Sequence, residues 1–275
     1  MRDSNSLFRY QEANLPPDLE PYINKMWYSH VGVEQLEEPY LPRPFPFFVV
    51  LLKGKVRIER VGIDETNSPL ISINGTMKES RAVLHFKDPI ESIGIDLTSH
   101  GFLSLFGESP YGFRGKTFAI NNFLSMDEQE VIEAINEVKK VENKLSLLLD
   151  YLRPHFKSID FNQNISHAYL ASIVPSCNYQ VGELADKMCV SEKTLNRLCK
   201  EFVGTSPKNY INIVRVNQAY AIAKVNPQKP VHEIAHQFGF YDVQHMAKTF
   251  KHYLGLNLFG FRNNRSSEAS SIWAN

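Results

Sequence analysis

The sequence predicts an α+β chain of two domains: an antiparallel β half, barrel or sandwich, with flanking helices, followed by an all-α half. Three observations carry this prediction. Short β-type runs cluster between residues 45 and 98. The apolar period lengthens to a helical one from residue 127. Near the C-terminus a helical pattern repeats at an interval close to 50 residues.

The β half is read from alternation and punctuation. Phe47-Phe48-Val49-Val50-Leu51-Leu52 is a short apolar run. Lys55 to Val61 alternates strictly, as a half-buried strand does. Leu70 to Ile73 and Ala82 to Phe86 are similar, and Ile90 to Leu97 alternates again. Lys53-Gly54, Asn67-Ser68-Pro69, Asn74-Gly75 and Asp88-Pro89 supply the turns.

Residues 127–153 predict one amphipathic helix. Val131, Val138, Leu145 and Leu152 recur every seven residues, and Ala134, Val141 and Leu148 follow the first three at a spacing of three. Such a seam packs either on its own sheet or on a second copy of the chain, as a homodimer through 127–153. Arg153-Pro154 should end the helix, because a residue before proline is pushed out of the α region. The expected organisation is residues 1–157 as one domain, 158–164 as a linker, 165–262 as the second domain and 263–275 as a disordered tail.

Composition narrows the function classes. The chain has 275 residues, and neither an apolar run long enough for a membrane span nor an N-terminal signal-like stretch is present. The three cysteines, Cys177, Cys189 and Cys199, form no close pair, so neither a disulfide framework nor structural zinc is expected, and a reducing cytoplasm fits best. The net charge of zero hides an asymmetry. Residues 1–159 hold 18 basic and 22 acidic side chains, and residues 160–275 hold 12 and 8. A basic half joined to an acidic one points mildly to nucleic acid.

The repeat is the sharpest signal. Val181, Glu183, Leu184, Ala185 and Met188 match Val231, Glu233, Ile234, Ala235 and Phe238 at an offset of 50. Leu195, Arg197, Lys200 and Gly204 then match Met246, Lys248, Lys251 and Gly255 at 51. One residue inserted in the turn accounts for the change. Each copy has helix-turn-helix logic, so the second domain reads as a tandem helix-turn-helix. Leu184 and Ile234 are buried anchors, and Ala185 and Ala235 allow a close helix crossing. Gly239 gives the tight turn a permissive backbone, where the first copy has Cys189. Ser191 and Asp242 suit the N-caps of the second helices. Between the copies, Ser206-Pro207 opens a helix that runs to Val225. Its 19 residues make a rod of roughly 29 Å. Such a rod could hold two reading helices about one DNA turn apart, roughly 34 Å.

The second helices are placed at 191–202 and 242–254. With Leu195, Leu198 and Phe202, and Met246, Thr249, Phe250 and Tyr253, turned inward, their outer faces carry Lys193, Asn196, Arg197 and Lys200, and Val243, Gln244, Lys248 and Lys251. Arg and Lys can bond guanine, Asn and Gln can bond adenine, and Val243 can touch a thymine methyl. Lys200, Lys251 and Lys208 suit phosphates. Double-stranded DNA is the partner these residues indicate.

These residues resemble the C-terminal DNA-binding domain of the AraC/XylS transcription regulators over about 165–262. The likeness lies in Glu183-Leu184-Ala185, Ser191 to Leu198, Gly204-Thr205-Ser206-Pro207, Ile234-Ala235, Gly239-Phe240, Thr249-Phe250-Lys251 and Gly255 through Arg262. Gln244 and Met246 stand where that family commonly has Ser and Phe, and Asn257-Leu258 replaces its Ser-Pro. The resemblance implies a sequence-specific transcription regulator of the bacterial cytoplasm and nucleoid. It implies RNA polymerase as a partner, and a sensory or dimerisation domain, often a cupin-like barrel, in the N-terminal half. A small-molecule effector is compatible with that domain, though no particular ligand is indicated. Phe45, Phe47, Phe48, Phe86, Tyr111 and Phe113 are read first as core, and alternatively as the lining of an effector pocket.

Other classes fit less well. A metal cupin needs a His-x-His pair with further ligands, whereas His30, His85 and His100 are isolated. No nucleophile elbow or phosphate-binding glycine loop is present. Residues 1–176 lack cysteine, which removes alkyltransferase chemistry. No cofactor is expected and the chain is not read as an enzyme. The remaining rival is an architectural DNA binder without effector control.

Overall fold

A computed structural model describes residues 8–32, 36–60, 63–77, 82–157 and 180–255. The expected linker 158–164, the opening of the second domain at 165–179 and the tail 263–275 lie outside the described residues.

Among the described residues, ten strands lie in the N-terminal half: β1 (Phe8–Glu12), β2 (Ile23–Val31), β3 (Leu36–Pro39), β4 (Phe47–Lys53), β5 (Val56–Arg60), β6 (Ile63–Asn67), β7 (Ile71–Asn74), β8 (Ala82–Phe86), β9 (Ile90–Leu97) and β10 (Thr117–Ala119). They form a six-stranded sheet in the order β1-β2-β9-β4-β7-β10 and a four-stranded sheet in the order β3-β8-β5-β6. Every pairing is antiparallel. The five expected runs are all strands, and β8 and β9 keep their expected bounds. Strand β2 carries no alternating pattern in its sequence, because it is an inner strand buried on both faces over most of its length. Its Trp27 lies opposite Gly94, where a Cβ would come within 1.8 Å of the indole; only glycine admits that ring.

The expected single helix over 127–153 is instead two. Helix α1 (Ser99–Phe106) follows β9, then come α2 (Glu128–Glu137) and α3 (Val141–Leu152). Between the latter two, Val138 is extended, with φ −82° and ψ 127°. The bend lets both helices lie on the large sheet. Val131 and Ile135 of α2, and Leu145, Leu148, Leu149 and Leu152 of α3, share one core with Phe48, Ile73, Ile93 and Ile95. Of the two packings expected for the seam, on its own sheet or on a second copy, the first holds for Val131, Leu145, Leu148 and Leu152, which are buried against the chain's own sheet. Lys144 points inward, is 7% exposed, and meets the Glu91 carboxylate of β9 at 2.9 Å. A buried lysine needs such a partner.

The C-terminal half is helical throughout its described residues: α4 (Val181–Lys187), α5 (Glu192–Leu198), α6 (Pro207–Val225), α7 (Val231–Gln237) and α8 (Val243–Leu254). The rod α6 has the expected bounds, with Ser206 accepting from the Asn209 N–H at its start. Among the described residues no helix is long and apolar enough to cross a membrane, and no group of three His, Cys, Asp or Glu is placed to hold a metal.

Candidate nucleic-acid interface

The two repeat copies fold into matching bihelical units. In the first, Val190 N–H bonds the Ala185 carbonyl at 3.0 Å; in the second, Phe240 N–H bonds the Ala235 carbonyl at 2.9 Å. Cys189 and Gly239 both take left-handed backbone, at φ 53° and 70°. Cys189 is the one non-glycine residue at positive φ among the described residues. Leu184 and Ile234 are buried, as are Ala185 and Ala235. Ser191 caps α5 by accepting from the Thr194 N–H, and Asp242 caps α8 by accepting from the His245 N–H at 2.6 Å. Each cap satisfies a helix-end donor that has no partner inside the helix.

The expected reading faces point outward. Lys193 and Arg197 are exposed on α5, and Asn196 is half-buried beside them. Arg197 pairs with Glu201 one turn on, at 2.9 Å. Exposed pairs of this kind are weakly bound, so the guanidinium stays available. Gln244, Lys248 and Lys251 are exposed on α8, and Val243 is half-buried at its start. Lys200 departs from the expected α-helix through 202. Helix α5 ends at Leu198, and Cys199–Val203 form a π-helical turn closed by Gly204 in left-handed conformation. The wider turn keeps Cys199 and Val203 both buried, and burial pushes the Cys199 thiol up to about 12. Lys200 is half-buried on this turn.

Two outward residues were missed in the sequence. Tyr241 is 91% exposed in the second turn, and His245 is exposed on the first turn of α8. The offset of 51 pairs His245 with Thr194, which would have drawn attention to it.

Both units hang on α6, and the first domain grips the same rod. Ile213, Val216, Ala219, Tyr220 and Ala223 share a core with α7 and α8, while Tyr210 packs against the first unit. The Tyr253 hydroxyl of α8 donates to Asn209 at 2.8 Å. From the β half, Leu41 enters the second unit's core, and the Pro42 carbonyl accepts from Asn217 of α6 at 2.8 Å. Glu38 is buried and faces Lys224; burial holds that ammonium below its usual range, against the pull of Glu38. At the first unit, Thr76 donates to the Gly204 carbonyl at 2.9 Å and Ser109 to the Glu201 carbonyl at 2.6 Å.

Residues 184–264 match the family described as a helix-turn-helix domain. The relative named HTH-type transcriptional activator RhaS, from Mannheimia succiniciproducens, is 36% identical over 69 residues. The C-terminal domain is of the AraC/XylS helix-turn-helix type. The match to RhaS spans a quarter of this chain and a quarter of that one. Two solved structures are similar at lower identity. ToxT from Vibrio cholerae aligns over 94% of this chain and 98% of its own, at 11% identity and a TM-score of 0.49. The C-terminal domain of the response regulator YesN from Fusobacterium nucleatum covers 35% of this chain and 97% of its own, at 21% identity and a TM-score of 0.32.

Ahead of the AraC/XylS-type domain, a cavity opens between the two sheets. Val49, Leu51 and Ile90 line it from one sheet, and Val56, Ile58, Leu84 and Phe86 from the other. Its polar end carries Tyr40, Arg43, Ser72 and Asn74. The Tyr40 hydroxyl donates to Asn74, whose amide donates to Ser72. Arg43 pairs with the buried Asp96 and lies over the rings of Trp27 and Phe47. Of the six aromatics with a pocket reading, Phe47 and Phe86 line this cavity, Phe48 and Phe113 belong to the main core, Phe45 is half-buried away from the cavity lining, and Tyr111 is exposed. His85 sits between Glu37 and Glu59, at 3.3 and 2.8 Å, tying three neighbouring strands together.

Proposed function

We propose that the chain is a sequence-specific DNA-binding transcription regulator that reads two successive major grooves with α5 and α8. The observation that carries this reading is the pair of bihelical units with the same turn geometry, mounted on one rod, each with a polar outward face. Lys193, Asn196 and Arg197 in the first unit, and Val243, Gln244 and Lys248 in the second, are the candidates for base edges. Lys200 and Lys251 lie further along and suit phosphates. The β half is the regulatory part in this reading, with the cavity between its sheets as the effector site. RNA polymerase is the partner through which a bound regulator of this kind would act.

The test is binding of the full chain to duplexes selected from a random pool, compared with the unselected pool, across a range of salt. The expected outcome is a selected site with two half-sites about one helical turn apart, bound at least about 10³-fold more tightly than random DNA. Equal affinity for both pools would leave an architectural binder instead.

A further inference from the structure

We propose that His245 is a base-reading residue of the second unit, donating from its Nε2–H to the N7 acceptor of a purine in the major groove. The inference rests on the DNA-reading proposal above and adds a contact to it.

Position comes first. His245 is the third residue of α8 and is exposed. The N-terminal residues of the second helix are the ones that meet base edges in a helix-turn-helix complex. The ring is also oriented before any DNA arrives. The Tyr241 N–H donates to Nδ1 at 3.2 Å. A ring nitrogen that accepts carries its lone pair there, so the neutral imidazole holds its proton on Nε2, across the ring. The Phe240 ring meets the imidazole edge to face at 5.7 Å and 72°. The residue's own N–H is fixed by Asp242. A side chain held this way has little ordering left to lose on binding.

The two units differ in a complementary manner. The offset of 51 pairs Asn196 with Ala247 and Thr194 with His245. In the first unit Thr194 is tied to the cap, its hydroxyl 3.0 Å from that of Ser191, and the amide is carried at Asn196. In the second unit alanine stands where that amide would be, and the polar group moves to the position the first unit spends on its cap. A single N–H that cannot accept selects acceptors on the base edge, which are purine N7 and the guanine or thymine carbonyl; N7 is common to both purines.

The experiment uses the full chain and a selected duplex in which each purine of the second half-site is replaced singly by its 7-deaza analogue. That exchange deletes N7 and keeps the base pair. Wild type should lose about 3- to 10-fold in affinity at one purine. His245→Ala should bind the unmodified selected duplex weaker by a similar factor, bind random DNA as wild type does, and ignore the 7-deaza exchange at that purine. His245→Phe keeps a ring against Phe240 without any nitrogen, and should give the same masking if the alanine variant folds poorly. The proposal is overturned if the variants weaken selected and random DNA equally, or keep the full 7-deaza sensitivity at every purine. A wild-type chain that does not separate selected from random DNA would instead defeat the underlying regulator reading.

Discussion

Cys189 and Gly239 hold the same left-handed turn in the two units, and only one of them is a glycine. A side chain in that conformation costs roughly 1–2 kcal/mol. Cys189→Gly is therefore expected to stabilise the chain by about 1 kcal/mol, because glycine's extra freedom in the unfolded state offsets part of the gain. The reciprocal change should be harmful. A Cβ at Gly239 would sit 3.2 Å from the Arg215 guanidinium as well as at positive φ, so Gly239→Ala should destabilise. Urea unfolding of both variants checks the pair of signs.

Arg197→Ala is expected to cost about 1–3 kcal/mol on the selected site and nothing on random DNA. Loss of its exposed partner Glu201 should change stability little. Lys251→Ala should weaken both duplexes alike and lower the slope of log affinity against log salt by about 1. Fluorescence anisotropy at several salt concentrations measures both effects.

Much of this interface was legible because its signals are local. Ser206-Pro207 and Asn226-Pro227 bracket α6, and proline chemistry needs no tertiary context. Strands β8 and β9 were likewise bounded by turn residues next to them. The failures are non-local. Val138-Lys139-Lys140 carries no breaker, yet the chain bends there because α2 and α3 must both reach the large sheet. The π turn at Cys199–Val203 carries the carbonyl bonded by Ser109, from a loop ninety-two residues earlier in the chain. The orientation of His245 depends on an N–H that only the folded turn presents.

Thr76 and Gly204 provide a test of the joint between the domains. Both are buried, and the threonine hydroxyl is the donor to the glycine carbonyl. Thr76→Val keeps the shape and deletes the donor, leaving a buried carbonyl without that bond. The expected cost is about 1–3 kcal/mol. Thermal unfolding of the variant, beside Thr76→Ser as a control that keeps the hydroxyl, measures it.

His100 gives the β half a pH signature. Burial holds its imidazole below the ordinary value, against the ring of Tyr22 at 5.1 Å. The folded chain keeps it neutral while the unfolded chain takes up a proton below about 6.5. This contribution is complete above that pH and is lost as pH falls through the folded value. His100→Phe should flatten the fall in melting temperature on the acidic side of neutrality, as followed by calorimetry from pH 7.5 to 5.

The stretch from Glu38 to Arg43 has two jobs at once. Pro39, Tyr40 and Arg43 face the hollow between the sheets, while Leu41 and Pro42 are seated on the shaft that carries both DNA heads. No spacer separates these roles, so under the proposed function a guest in the hollow would press directly on the shaft. Under the proposed function the coupling would run both ways: a duplex that fixed the angle between the heads would alter how well the hollow accepts a guest, by the same free energy.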